Sequence, residues 1–175
     1  MPNKFHPYLI QINQHIWTSK LRYGLQLYAK VRSQESDTTN VLMSKLQVSQ
    51  NKMLRVLENV QLKDGVHTRT LLENQKMLSV NQLAGNIKLT ELWKATHVEN
   101  YPLKVKSQIT PPNGRVTRAD SAGKLIECKG SVLSINSCAG DGTRLWNKAP
   151  LNVKNANSIW SAKKEIKLFA ATLPI

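Results

Sequence analysis

Clustered carboxylates are the groups that this chain would need for two-metal chemistry, and its aspartates are not clustered. Two-metal sites bring several carboxylates together and usually include an adjacent Asp pair. None of the four aspartates neighbours another, and each lies in a turn-like stretch: Asp37, Asp64, Asp120 and Asp141. Turns and helix caps explain such positions. We therefore predict no catalytic residue and no metal site in this chain.

The histidines and cysteines offer no better basis for catalysis. The histidines are spread along the chain, and no nucleophile, zinc-protease or phosphate-loop motif is present. Cys128 and Cys138 do not form a C-x-x-C pair, and no histidine lies near enough to complete a zinc site. We expect two reduced thiols, with a disulfide that closes a short loop as the alternative.

The net charge of the chain points to a polyanionic partner. Its 175 residues include 25 Lys and Arg against 11 Asp and Glu, a formal charge of +14. A short chain this basic favours RNA or DNA as the partner. An anionic membrane surface, or a basic protein without such a partner, are the alternatives.

Membrane insertion and secretion are not expected. The sequence has no run of about 18 apolar residues. Its N-terminal segment also lacks the apolar stretch of a signal peptide. We expect no membrane partner, and an intracellular location in the nucleus or the cytoplasm.

Three groups of cations are candidates for nucleic-acid binding. The first lies beside Tyr23 and Tyr28, so it could contact phosphate and stack a base; equally, the tyrosines could be core residues beside solvated cations. The second shares one face of a predicted helix. The third lies in a basic loop that could instead be a solvated linker. The candidates are Arg22, Lys30, Arg32; Lys45, Lys52, Arg55; and Arg115, Arg118.

Apolar periodicity predicts a mainly α fold, a small helical bundle. Segment 41–62 gives the clearest helix, with capping candidates from Asp37 to Asn40. A short helix and a longer one follow within 67–97, separated at Leu78-Ser79. The apolar positions of the helix predicted for segment 41–62 are Leu42, Leu46, Met53, Val56, Leu57 and Val60. The longer helix is apolar on more than one side, which is typical of a buried helix.

Three regions follow from these patterns: a helical region 1–103, a basic flexible linker or loop 104–140, and a helical segment 141–175. The loop has little periodicity and contains Pro111-Pro112-Asn113-Gly114. In the last region Asn157 or Ser158 can cap an amphipathic helix. Its apolar stripe is Ile159, Ala162, Ile166, Phe169 and Leu173. Core packing is the expected role of that stripe, and docking the alternative.

Several short motifs follow one another along the chain. Segment 16–32 contains Ser-x-x-x-Tyr-Gly at Ser19, Tyr23 and Gly24. Segment 46–57 contains Gln-Asn-Lys-x-x-Arg at 50–55.

Further motifs continue in the same order. Segment 71–93 moves from a leucine-rich turn into a new helix, and Thr117-Arg118 lies in the basic loop. Arg144-Leu145-Trp146-Asn147 is followed by Pro150, and then by the amphipathic segment. Together these motifs resemble the region that follows the palm in reverse transcriptases of LINE-type (non-LTR) retrotransposons.

The resemblance extends over nearly the whole chain and implies a thumb and post-thumb role, which is to hold template-primer by its backbone. The family's fingers and palm, with the palm's Asp pair, are not among the matched motifs. RNA-directed DNA polymerase activity, and the Mg²⁺ it uses, would therefore belong to the parent protein. We expect this chain alone to be inactive and without a cofactor.

Two alternatives accompany this hypothesis. The chain could be a domesticated, standalone nucleic-acid-binding protein, or a non-functional relic of a truncated element. Truncation at the 5′ end is common in this family, because copying starts at the 3′ end of the RNA. We also expect self-association through exposed apolar faces, since Ile12, Ile16 and Trp17 would normally pack on a palm.

Overall fold

The fold is described from a computed structural model. It covers residues 29–34, 40–101 and 138–175, with side chains from 140 onward in the last range, and isolated positions elsewhere: 8, 11, 15, 16, 19, 21, 24, 25 and 125. The protein is mainly helical, and the described residues include no strand. Within the described ranges, six α-helices form a small bundle-like arrangement.

The helices are α1 (Val41–Glu58), α2 (Thr68–Asn74), α3 (Val80–His97), α4 (Thr143–Lys148), α5 (Leu151–Lys154) and α6 (Ile159–Ala171). A short 3₁₀ turn, Leu62–Asp64, links α1 to α2, and a π-helical turn, Cys138–Gly142, leads into α4.

Local capping explains where α1, α3 and α6 begin. The Asn40 side chain accepts a hydrogen bond from the Leu42 N–H at 2.9 Å, and Ser158 caps α6 through the Ser161 N–H. Ser79 and Gln82 form a reciprocal capping box at the start of α3. These caps confirm the predicted break at Leu78-Ser79 and two of the predicted capping residues.

Helix α3 lies at the centre of the core. Buried residues occur on all its sides, which confirms the prediction for the longer helix of segment 67–97. Helix α6 packs along α3, and Ala162, Ile166 and Ala170 are fully buried. Core packing is therefore the role of the C-terminal stripe.

Residues from both sides of the proposed linker contribute to one core. Leu25 and Leu92 belong to the same buried cluster as Trp146 and Val153. A smaller cluster of Leu54, Leu71 and Leu72 joins α1 to α2. The boundaries proposed at 103 and 141 remain predictions.

The apolar positions of segment 41–62 do not form one buried face. Leu42 is 47% and Val56 is 80% exposed, whereas Met43, Gln50, Leu54 and Leu57 are buried. Apolar residues cover more than half of the circumference of α1, so its apolar pattern is compatible with more than one buried face. The Gln50 side chain donates to the Leu78 carbonyl at 2.8 Å, and this contact belongs to the side that faces inward.

Candidate nucleic-acid interface

A buried ion pair fixes the segment that carries two predicted binding residues. Lys88 lies in the middle of α3, and its Nζ is 2.6 Å from Oδ1 of Asp141. Both side chains are buried. The other oxygen of Asp141 accepts from the Val31 N–H at 2.6 Å. The Lys88 ammonium also donates to the Ala29 carbonyl. The pair therefore ties segment 29–32 to α3.

Asn81 holds the same segment at Arg32, the residue after Val31. Its side-chain oxygen accepts from the Arg32 N–H at 2.8 Å, and its amide donates to the Arg32 carbonyl at 3.0 Å. The amide also donates to the Pro174 carbonyl at 3.0 Å. A single side chain from α3 thus positions both the segment that carries Lys30 and Arg32 and the chain after α6.

Opposing effects act on the Asp141 carboxyl. Burial raises its pKa and is the largest effect. The Lys88 ammonium, the Val31 N–H and the positive charge of Arg144 lower the pKa. With its two oxygens occupied by the segment and by α3, this carboxyl is a structural anchor, and it does not lie open to a ligand.

Lys30 and Arg32, both half-buried, line a cleft of about 240 Å³ between segment 29–32, α1 and α3. Its other walls are formed by Met43, Ser44, Gln47, Val48, Val80, Asn81 and Ile175. Gln47 holds two of these walls together, because its side-chain oxygen accepts from the Val80 N–H at 2.9 Å. A hydrogen bond therefore joins α1 to α3 at the cleft, and Lys30 and Arg32 line its wall.

Lys45 and Lys52 are both exposed on α1. They lie seven residues apart, or two helical turns, and share a face as predicted. Val48, which lines the cleft, lies three residues after Lys45 and four residues before Lys52, so it neighbours both on the helix surface. No acidic residue occurs from 41 to 57. The two lysines therefore extend the basic wall of the cleft onto the helix surface.

Arg55 is largely engaged within the protein. One of its terminal nitrogens donates to the Val66 carbonyl at 2.9 Å, and the other to the Gln61 carbonyl at 3.3 Å. The guanidinium thereby clamps the turn between α1 and α2. Its role in nucleic-acid binding stays a prediction, whereas its hydrogen bonds to the turn give it a structural role.

The remaining candidates, Arg22, Arg115 and Arg118, lie outside the described residues, as do Tyr23 and Tyr28. The structure thus places Lys30, Arg32, Lys45 and Lys52 around one region of the surface.

Sequence reasoning missed Lys88 and Asn81, and took Asp141 for a turn residue. Asp141 does lie in the turn Cys138–Gly142, but its ion pair is buried. One signal existed: Lys88 stands between Ile87 and Leu89 in a helix that is apolar on more than one side, and a charge buried in such a helix needs a partner. Nothing in the spacing identifies which of the carboxylates supplies it.

Metal and membrane sites can be judged only within the described ranges. There, no three His, Cys, Asp or Glu side chains come together in a group that could hold a metal ion. No helix in the part of the chain that the structure describes is long and apolar enough to cross a membrane.

Comparison of the chain with protein-family models, with curated proteins and with solved structures finds no match.

Proposed function

We propose that this chain is the thumb and post-thumb region of a LINE-type reverse transcriptase, which grips template-primer nucleic acid through its phosphate backbone. The family assignment is supported by the order of the motifs. The grip is supported by one structural observation. Helix α1 has no carboxylate from 41 to 57 and exposes Lys45 and Lys52, and the cleft beside it is lined by Lys30 and Arg32.

Such a surface suits contact with phosphate and gives no means of reading a base. Lysine ammonium groups on a helix face act as point charges, and phosphate contacts position a duplex without reading its sequence. Affinity should therefore be independent of sequence and should fall steeply with salt. The motifs of the catalytic palm are not among those matched, so these 175 residues alone should synthesise no DNA.

The grip is tested by measuring the fluorescence anisotropy of a labelled RNA–DNA template-primer over a range of salt concentrations. Lys45→Ala with Lys52→Ala should weaken binding equally for unrelated sequences and lower the log–log salt slope by about 1 unit per lost phosphate contact. The matched control is Lys63→Ala, which removes an exposed charge from the 3₁₀ turn after α1.

A flat salt response of the wild type would contradict the grip, as would an equal loss in the Lys63→Ala control. Primer extension with the isolated chain should give no product, and DNA synthesis would overturn the inactive assignment.

A standalone binding protein is the second candidate, and the shared core favours it over an unfolded relic. Side chains from residue 25 to residue 173 belong to one buried cluster. A chain with such a core should unfold cooperatively, which thermal circular dichroism measures. A gradual melt without a transition would support the relic instead.

A further inference from the structure

Helix α6 carries an exposed tryptophan on the side away from the core. The Trp160 side chain is 78% exposed, and the Lys163 ammonium lies over its ring at 5.2 Å from the centroid. Trp93 and Trp146 are 5% and 2% exposed, so exposure is not general among the described tryptophans. Leaving so large an aromatic surface in water gains nothing for the fold.

Cations continue from Trp160 along the same face of α6. Lys164 and Lys167 follow at i+4 and i+7, and both are exposed. Glu165 points elsewhere, because it lines a different cleft with Ser161 and residues of α5. The face therefore presents one aromatic ring followed by ammonium groups over about 10 Å of helix.

The basic face leads into a cleft between α6 and α2. This cleft, of about 570 Å³, has Lys167 on one side and Arg69 and Lys76 on the other. Glu73 is the one acidic side chain among the described residues that line it. Three cations, from α6, from α2 and from the turn after α2, thus converge at the end of the face that begins with Trp160.

We propose that Trp160, Lys163, Lys164 and Lys167, with the adjoining cleft, bind single-stranded nucleic acid. An unpaired base stacks on Trp160, and the following phosphates contact the lysines and then Arg69 and Lys76. Non-specific single-strand binders combine a basic surface that follows the backbone with aromatic rings on which bases stack. A duplex keeps its base faces stacked inside, so the ring selects for an unpaired strand.

A membrane fits this face less well. A helix that lies in a membrane interface inserts a continuous apolar side, but the apolar side of α6 is buried in the core at Ala162, Ile166 and Ala170. Trp160 and Leu168 are the exposed large apolar residues of this helix. The cleft of this single-strand surface shares Ile175 with the cleft beside α1, but the two surfaces have no cation in common. The assignment of the single-strand surface does not depend on the template-primer grip.

The test measures binding of a labelled oligo(dT) and of a labelled RNA–DNA duplex to the full chain. Trp160→Ala should weaken oligo(dT) binding by roughly 5- to 150-fold, the range found for loss of one base–aromatic stack. Trp160→Phe should retain most of the affinity. Lys164→Ala with Lys167→Ala should lower the single-strand salt slope by about 0.7 per lost contact. Duplex affinity should stay unchanged in all three variants.

Leu168→Ala is the control for loss of exposed apolar area, since Leu168 is 59% exposed on the same helix but carries neither a charge nor an aromatic ring. It should bind oligo(dT) as the wild type does. Unchanged oligo(dT) binding by Trp160→Ala would overturn the proposal, as would an equal loss for single strand and duplex. A loss seen only with vesicles of anionic lipid would assign the face to a membrane. Failure of the α1 lysine variants to affect duplex binding would contradict the grip alone.

Discussion

Helices α1 and α3 have the same length and opposite roles. Each has 18 residues, but 12 residues of α3 are buried and only four of α1. Helix α3 even encloses a charged residue, Lys88, while α1 leaves Val41 and Val56 in water. A helix at the centre of a bundle must satisfy its polar groups internally, whereas one at the edge can present both apolar and charged side chains. We therefore expect substitutions in α3 to affect mainly the stability of the fold, and substitutions on the exposed side of α1 to affect mainly contacts with other molecules.

The largest effect is expected from Lys88→Ala, which leaves the Asp141 carboxylate buried without its partner. Removing one member of a buried pair costs about 3–5 kcal/mol of the free energy of unfolding. Urea denaturation followed by circular dichroism measures this value. Lys52→Ala on the exposed face of α1 is the control and should change stability by less than about 0.5 kcal/mol.

A double variant sharpens this result. Lys88→Met with Asp141→Leu removes both charges, so it should recover part of the lost stability. Recovery is incomplete, because the Val31 N–H and the Ala29 carbonyl each lose their partner. Equal effects of Lys88→Ala and Lys52→Ala would remove the contrast between the two helices.

A smaller effect is expected from Gln82→Ala in the first turn of α3. The Gln82 amide donates to the Ala171 and Leu173 carbonyls at 2.9 and 3.0 Å, and its oxygen accepts from the Ser79 N–H. Leaving these partly buried groups unpaired costs about 1–3 kcal/mol. The same denaturation measurement applies, with Ser49→Ala on the exposed side of α1 as the control. A loss no greater than that of the control would show that α6 does not depend on this brace.

The smallest effect is expected from Val56→Ala on α1. The Val56 side chain is 80% exposed, so its removal should change the free energy of unfolding by less than about 0.5 kcal/mol. Analytical ultracentrifugation of the same variant tests the predicted self-association, which should decrease if this exposed apolar face takes part. A destabilisation above 1 kcal/mol would mean that α1 packs more tightly than the structure indicates.

The ends of the helices were largely predictable from the sequence. Asn40, Ser79 and Ser158 cap helices through hydrogen bonds to residues two or three positions away. One end was predicted too late: α1 stops at Glu58, because Asn59 adopts a left-handed conformation with φ 53°. Asparagine tolerates that conformation, but the sequence alone did not show that it occurs here.

The orientation of α1 and the anchoring of segment 29–32 were not predictable. Met43 and Leu42 are adjacent apolar residues, and only packing decides which of them is buried. Of the candidate site, the exposed lysines follow from helical spacing, but their position beside Lys30 and Arg32 does not. That arrangement depends on Asn81 and Asp141, which hold the segment from 49 and 110 residues away along the chain.

The sequence by itself determined the helical class, the main breaks and the buried stripe of α6, because capping and apolar periodicity act over a few residues. It also determined the charge of +14, which does not depend on the fold. The tertiary structure alone decided which carboxylate joins Lys88, 53 residues away, and which face of α1 meets water. Those choices depend on contacts between distant segments, and a buried charge is tolerated only where the folded chain supplies its partner.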